Sequence, residues 1–427
     1  MSSPGNFSIK SIETIRSRLI PFSYHKFRVF FAAQGVSLVG SWMQELTKSL
    51  LVMHIIDRTG AMGKTAAMGF LLAAPAIPNV LLGPAGGVLA DKKGFRGILV
   101  VTQVLLALTA FLLGVLVSTG TIEYWHLVVF ALCEGCILAF DMPAFQMVTP
   151  QLVPREHFQQ ALALNTSNFH LARVLGPSLA GIIVGYFGRA SVFWLNAVSF
   201  VLVAIVLARM NFTPDKHHAP AKKQGQGSMK EALVYLKNHP LFLRIFAQFL
   251  LVQALVFPLI FTTLRVLVQD RFHLNDRDFG LVFSTPGLGA LLGSLMFLIL
   301  NPKNPIRVLP FGVVGTVVSL FAVAESFKLS LIVLSMMLFS ICLFMTLSSL
   351  LVTVQLKVDD KFRGRISALV GMAFAAVSPI MAFPMGLLSD LMGGRHSIWL
   401  AASLFAAGSA FLAISNAKNG AGPQPSA

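Results

Sequence analysis

Twelve long apolar stretches run from about Val29 to about Ala413, and only one sizeable polar segment interrupts them, near residues 211–240. Each is close to or above the roughly 20 residues that a helix needs to cross a bilayer. Spans are expected at 29–56, 66–90, 98–118, 124–148, 161–186, 191–209, 243–266, 279–300, 308–324, 330–354, 366–391 and 397–415. Apolar residues make up 56% of the chain and charged residues 12%, so most of its surface must face lipid rather than water. The expected fold is an all-α polytopic membrane protein.

The formal net charge of +16 would suggest nucleic acid in a soluble protein. Here its distribution carries the meaning. With a cytoplasmic N-terminus, the inner segments hold 23 of the 33 Lys and Arg. Among these are Lys92, Lys93, Arg96, Lys222, Lys223, Lys361, Arg363 and Arg365. The opposite side holds eight, counting Arg265 and Arg271 at the end of the seventh span. That asymmetry follows the positive-inside rule and places both termini and the 211–240 linker in the cytoplasm. No nucleic-acid partner is expected. Trp125, Trp194 and Trp399 each open a span on the outer side, where amphipathic rings favour the interface. No leader peptide is read before the first span, although Ile9, Ile12, Ile15 and Leu19 fall at helical spacing with Lys10, Arg16 and Arg18 between them, as in an interfacial helix. Cys133, Cys136 and Cys342 all lie in apolar segments, which suits packing rather than a disulfide framework.

The two halves repeat one another. Thr149-Pro-Gln151-Leu152 followed by Phe158 recurs as Thr353-Val-Gln355-Leu356 followed by Phe362. Gly181, Gly188, Ser191 and Trp194-Leu195 are matched by Gly386, Gly393, Ser397 and Trp399-Leu400. The repeat lays span five over span eleven and divides the chain into a cytoplasmic N-terminal segment (1–28), a six-helix bundle (29–210), a cytoplasmic linker (211–240), a second six-helix bundle (241–416) and a cytoplasmic tail (417–427). Parallel six-helix halves are how many secondary transporters form a midplane site that opens alternately to each side.

Gly86-Gly87-Val88-Leu89-Ala90-Asp91-Lys92-Lys93-Gly94-Phe95-Arg96 resembles the loop signature between helices two and three of the major facilitator superfamily. Gly40-Ser41-Trp42-Met43-Gln44, Leu82-Gly83-Pro84 and the run from Asp141-Met-Pro143-Ala144 to Gly176-Pro177-Ser-Leu-Ala180-Gly181 are similar to its bacterial drug:proton antiporter branch, which includes macrolide and enterobactin exporters. Gly176, Pro177 and Gly181 fit the helix-five signature of that branch, with Ala180 in place of a usual glycine. In the second half Asn301-Pro-Lys303-Asn304-Pro replaces the acidic loop signature. The resemblance implies two pseudo-symmetric six-helix bundles and export of antibiotic- or siderophore-like molecules.

The gating motif, Gly87, Asp91, Lys92, Lys93, Gly94 and Arg96, has a physical rationale. Asp91 ends span two where span eleven begins near Arg365, and a helix start offers unpaired N–H groups and partial positive charge to a carboxylate. Lys92, Lys93 and Arg96 are expected to compete for that carboxylate, which would make the contact a switch. Pro177 removes a backbone donor from span five while Gly181 and Gly185 permit close approach; the motif either seals a leak path or packs two helices.

Charges inside the spans are the sharper signal, because each costs about 2.5–3.5 kcal/mol at a helix centre unless compensated. Glu45 and Lys48 lie in span one, Glu134 and Asp141 in span four, and Arg173 in span five. Glu134 and Arg173 fall near one depth, counted from opposite ends, and are expected to meet near the midplane, either as a pair that exchanges a proton when access changes or as a static ion pair that holds two helices together. Glu134, Asp141, Arg173 and Glu45 are therefore the proton-coupling candidates. Glu45 and Lys48 are one turn apart and either neutralise each other or line the outer half of the cavity. Gln34, Trp42, Gln44, Lys48 and Asn165 are the substrate-cavity candidates.

No phosphate-cradling loop, nucleophile elbow or metal-ligand cluster is present in the sequence, so an enzyme is not expected and no cofactor or metal is required. Gly287, Gly289 and Gly293 sit inside span eight and read as helix packing. The expected function is a monomeric secondary transporter of the bacterial inner (plasma) membrane, with small molecules, protons and the lipid bilayer as its partners. It would export amphipathic drug- or siderophore-type molecules by proton antiport. The alternatives are a sensor or assembly factor on a transporter scaffold, and a facilitator or symporter working in the uptake direction.

Overall fold

A computed structural model describes residues 19–60, 62–210, 212, 229–300 and 302–419. The expected amphipathic stretch before Leu19, most of the linker and the end of the tail lie outside the described residues. The helices are α1 (His25–Thr59), α2 (Lys64–Ala73), α3 (Ala76–Lys93), α4 (Phe95–Ser118), α5 (Tyr124–Gln146), α6 (Thr149–Leu152), α7 (Phe158–Phe187) and α8 (Arg189–Arg209). After the linker come α9 (Met229–Asn238), α10 (Pro240–Leu251), α11 (Phe257–Phe261), α12 (Thr263–Phe272), α13 (Asp276–Leu300), α14 (Leu309–Glu325), α15 (Leu329–Lys357), α16 (Asp360–Met392) and α17 (Gly394–Asn419). No strand occurs among the described residues. Among the described residues eleven spans are long and apolar enough to cross a bilayer. The twelfth is α1, whose 35 residues are more than sufficient in length and whose Glu45, Lys48 and glutamines lower its hydropathy.

The expected ends agree with the helices to within a few residues, apart from spans seven and eleven. Span seven was expected to end at 266, yet it runs from Pro240 to Phe272. It does so by breaking rather than stopping: a π-helical turn covers Val252–Val256, Pro258 follows, and Thr262 leaves the helical region at φ −122° and ψ −87°. Arg265, expected at the outer flank, therefore sits inside the span and is only 5% exposed. Span eleven was expected to begin at 366, whereas α16 begins at Asp360. The linker contributes an amphipathic helix, α9, whose Tyr235 ring stacks on Phe362 at 4.3 Å and whose Glu231 pairs with Arg365 at 3.0 Å.

Packing divides the chain into two compact units. One comprises the described residues within Met1–Glu45, Pro78–Ile122 and Cys133–Lys223, and the other those within Leu46–Ile77, Glu123–Leu132 and Gln224–Ala427. In the first, α4 and α8 lie along each other around Leu106, Ala110, Ala197 and Phe200. A second cluster brings together Phe27, Phe30, Leu99, Val148 and Leu207. In the second unit, α13 packs along α15, and α14 packs along both α15 and α17. Gly289 and Gly293 make the α13–α15 contact possible: a Cβ on Gly293 would lie 2.3 Å from the Ile341 carbonyl oxygen. Without a hydrophobic drive between helices in lipid, such small-residue contacts carry much of the association. The same unit holds α2 against α16.

Candidate transport site

Polar side chains in the first unit converge on the middle of α1. Gln44 is buried, and its Nε2 donates to Glu134 Oε1 on α5 at 3.0 Å. Asn196 on α8 donates to Gln44 Oε1 at 2.8 Å, and Ser199 donates to Asn196 Oδ1 at 3.0 Å. The amide of Gln44 thus links three helices, and its donor end faces the one carboxylate of the group. Two residues earlier, the Arg173 guanidinium lies over the Trp42 ring, 5.6 Å from its centroid, and Phe169 meets the same ring edge-on. Gly176, one turn beyond Arg173, allows this approach: a Cβ there would be 2.4 Å from Trp42 Cβ. Glu134 and Arg173 therefore address neighbouring positions of one helix from α5 and α7. Asn196 was not anticipated, since an asparagine within an apolar span reads as incidental until its partner is known.

Asp141 shares a helix with Glu134 but has a different neighbourhood. It is buried, and its Oδ1 accepts from Thr102 Oγ1 at 2.6 Å and Gln103 Nε2 at 3.0 Å, both on α4. Lys48 is buried and Glu45 half-buried, one turn apart on α1. Asn165 donates to Thr149 at 2.8 Å and so ties α7 to the short α6. Gln34 keeps a buried Oε1 with no hydrogen-bond partner among the described residues. An open groove of about 510 Å³ lies between α1, α7 and α8, lined by Phe31, Val39, Met43, Leu175 and Leu202 with Asn168 and Ser199 as its polar members. A hydrocarbon chain or ring system suits that lining better than a charged group does.

The gating motif is placed as follows. Gly87 lies within α3, and Asp91, Lys92 and Lys93 are exposed at its end. Gly94 turns the chain at φ +81°. Among the described residues Asp91 has no hydrogen-bond or ion-pair partner. Arg96 departs from expectation. It donates from Nε to the Leu207 carbonyl at 3.2 Å and from its Nη2 to the Ala208 carbonyl, so it satisfies the last carbonyls of α8 instead of competing for Asp91. The carbonyl end of a helix is the favourable seat for a cation. Pro177 and Gly181 are buried in α7, which runs on through the proline.

Sequence reasoning also missed Arg265 and Gln253 in the second unit. Arg265 donates to Ser49 Oγ and lies over the Phe261 ring at 5.3 Å. Gln253 sits in the π-helical turn, fully buried, with neither amide atom hydrogen-bonded among the described residues. A π-helical turn inside a span often marks a functional position.

Among the described residues the chain is all-helical, with polar groups gathered within its apolar spans. The chain belongs to the transmembrane secretion effector family of major facilitator transporters, which it matches over residues 16–411. It is 29% identical to an MFS-type transporter, YfiS, of Bacillus subtilis over half of each chain (50% and 49%). It is 23% identical to macrolide efflux protein A of Streptococcus pyogenes over 43% of this chain and 44% of that one. Similarity to the staphyloferrin A transporter of Staphylococcus aureus is 22% over 63% and 66%. The chain thus spans about half to two thirds of the curated relatives it matches. Its fold matches a bacterial homologue of the human lysosomal transporter Spinster at a TM-score of 0.74, with 12% identity, over 94% of this chain and 99% of that one. A D-xylose–proton symporter matches at 0.72, with 13% identity, over 91% and 97%.

Proposed function

We propose that this protein exports amphipathic small molecules of the drug or siderophore type across the bacterial inner membrane by alternating access, in exchange for protons. The observation that carries the reading is the Gln44–Glu134–Asn196 network inside the spans. A carboxylate held there by an amide is a costly feature unless used. Macrolide efflux and staphyloferrin transport by relatives support the substrate class. Glu134 takes the proton role, and Arg173 on α7, which lies over Trp42 two residues before Gln44 on α1, is the cation whose approach or withdrawal would favour release or uptake of that proton. Trp42, Met43 and the neighbouring groove receive the apolar part of the substrate. Asp141 is bonded to two α4 side chains and serves as a structural carboxylate. Asp91 acts at the cytoplasmic gate, with both termini on that side.

Reconstitution into liposomes with an internal pH dye tests this. A macrolide, an amphipathic dye or a carboxylate siderophore added to the wild type triggers proton flux, and Glu134→Gln abolishes it. Flux that survives Glu134→Gln moves the proton site elsewhere, and substrate movement without proton flux removes antiport. Uptake is the second reading, favoured by the match to a proton symporter fold, and a proton flux running with the substrate would establish it.

A further inference from the structure

The gating signature occurs twice in this chain. Gly87-Val-Leu89-Ala-Asp91-Lys-Lys-Gly94-Phe-Arg96 ends the second span, and Gly386-Leu-Leu388-Ser-Asp390-Leu-Met-Gly393-Gly-Arg395 ends the eleventh. Glycine, leucine, aspartate, glycine and arginine coincide without a gap. The backbones coincide as well: Gly94 has φ 81° and ψ 146°, and Gly393 has φ 85° and ψ 147°. Each arginine reaches back to the end of a neighbouring helix. Arg96 caps α8, and Arg395 makes a two-pronged pair with Glu325, the last residue of α14, at 2.8 and 2.6 Å. Between the aspartate and second glycine, the first copy has two lysines and the second has Leu391-Met392. That is the change the positive-inside rule predicts for a copy at the opposite face.

In the second copy the aspartate is seated. Asp390 Oδ1 accepts from the Thr65 amide at 3.1 Å and Oδ2 from the Ala66 amide at 2.7 Å, at the start of α2. Those N–H groups have no partner within their own helix, and the helix start carries partial positive charge. Three glycines shape the seat. A Cβ on Gly63 would lie 1.9 Å from Asp390 Oδ2, one on Gly386 2.3 Å from the Thr65 carbonyl, and one on Gly69 2.2 Å from the Ala382 carbonyl. Lys64, beside the seat, joins Asp57 at 2.7 Å and Asp270 at 2.8 Å. The contact thus ties the second span to the eleventh and the seventh. Asp91 stands at the far end of the same 30-residue span.

We propose that Asp390 is the outer counterpart of Asp91, a positioning residue whose carboxylate, docked on the start of α2, holds the outer gate shut. Alternating access then uses one signature at each end of the second span. The carboxylate at the end of α16 seats on α2 when the outside is closed, and the carboxylate at the end of α3 seats on α16 when the inside is closed. The inference rests on membership of a transporter family and not on the substrate or direction proposed above.

Thiol labelling reads the gate directly. Thr65→Cys, in a chain whose three native cysteines are replaced by serine, buries a reporter beneath the seat and keeps the amide that Asp390 accepts from. Its rate of reaction with a membrane-impermeant methanethiosulfonate from the outside is compared across variants that share the parent's chromatographic profile and thermal midpoint. Asp390→Asn is expected to raise the rate about tenfold, as loss of a charge-assisted hydrogen bond shifts the population. Gly63→Ala keeps the aspartate but puts a methyl where its carboxylate sits, and should do the same. Asp91→Asn weakens the opposite gate and should leave the rate low, whereas general loosening would raise it in all three. Wild-type rates in both Asp390→Asn and Gly63→Ala, or an equal rise in Asp91→Asn, would overturn the assignment. None of these rates depends on whether a drug is transported.

Discussion

Thr102 and Gln103 hold a buried carboxylate, and the consequence is measurable one side chain at a time. Thr102→Val removes the 2.6 Å donor to Asp141 while keeping the shape, and a buried acceptor left short of a partner costs about 1–3 kcal/mol. The thermal midpoint in detergent should fall by several degrees while proton-coupled flux persists, because Asp141 is assigned no proton. A loss of flux with an unchanged midpoint would reverse the roles of Asp141 and Glu134. At this scale the sequence showed which residues are anomalous but not what they touch. Glu134, Asp141 and Arg173 stood out as charges in apolar surroundings. Their partners Gln44, Thr102, Gln103 and Asn196 are ordinary polar residues whose importance exists only once helices distant in sequence are adjacent. Asp390 was passed over for a related reason: it ends a span, where an aspartate reads as solvated, and its partners are backbone amides that leave no mark in a sequence.

Helices set their own ends in this chain, and their breaks depend on tertiary context. The apolar runs locate most helix ends within a few residues because the change from lipid-facing to water-facing residues is abrupt at Gly60, Gly94, Gly120 and Gly188, each with positive φ. Span seven escaped that logic. Beyond its π-helical turn and the Thr262 break the span carries Arg265 into the packed interior and continues through the polar Gln269–Arg271, so hydropathy ended the span early. The small-residue contacts, by contrast, were readable as glycines at helical spacing. Gly293→Ala places a methyl against backbone, where nothing can rotate away. The expected outcome is a fall in folded yield and thermal midpoint larger than for Gly371→Ala, whose Cβ would meet nothing within 4 Å. Equal behaviour of the two would show that α13 and α15 can separate without cost.

Over the whole molecule, orientation is the property on which gate, charge and substrate direction all depend. Lys92→Cys should react with an impermeant maleimide only after the membrane is opened, and Arg277→Cys should react in intact cells; the reverse pattern would invert every assignment of inner and outer made above. The seat of Asp390 has a further consequence, in genetics. A pair of side-chain charges can be repaired by exchanging its members, so that damage on one helix is suppressed by the reciprocal change on the other. A carboxylate that rests on peptide N–H groups has no such remedy, because no substitution in α2 turns its amides into acceptors for a cation at position 390. Selection for recovered function after loss of Asp390 would yield true revertants, or changes that weaken the opposite gate and restore the balance. It would not yield charge swaps, and a second-site change at the inner end of the span would carry the imprint of the missing carboxylate at the other.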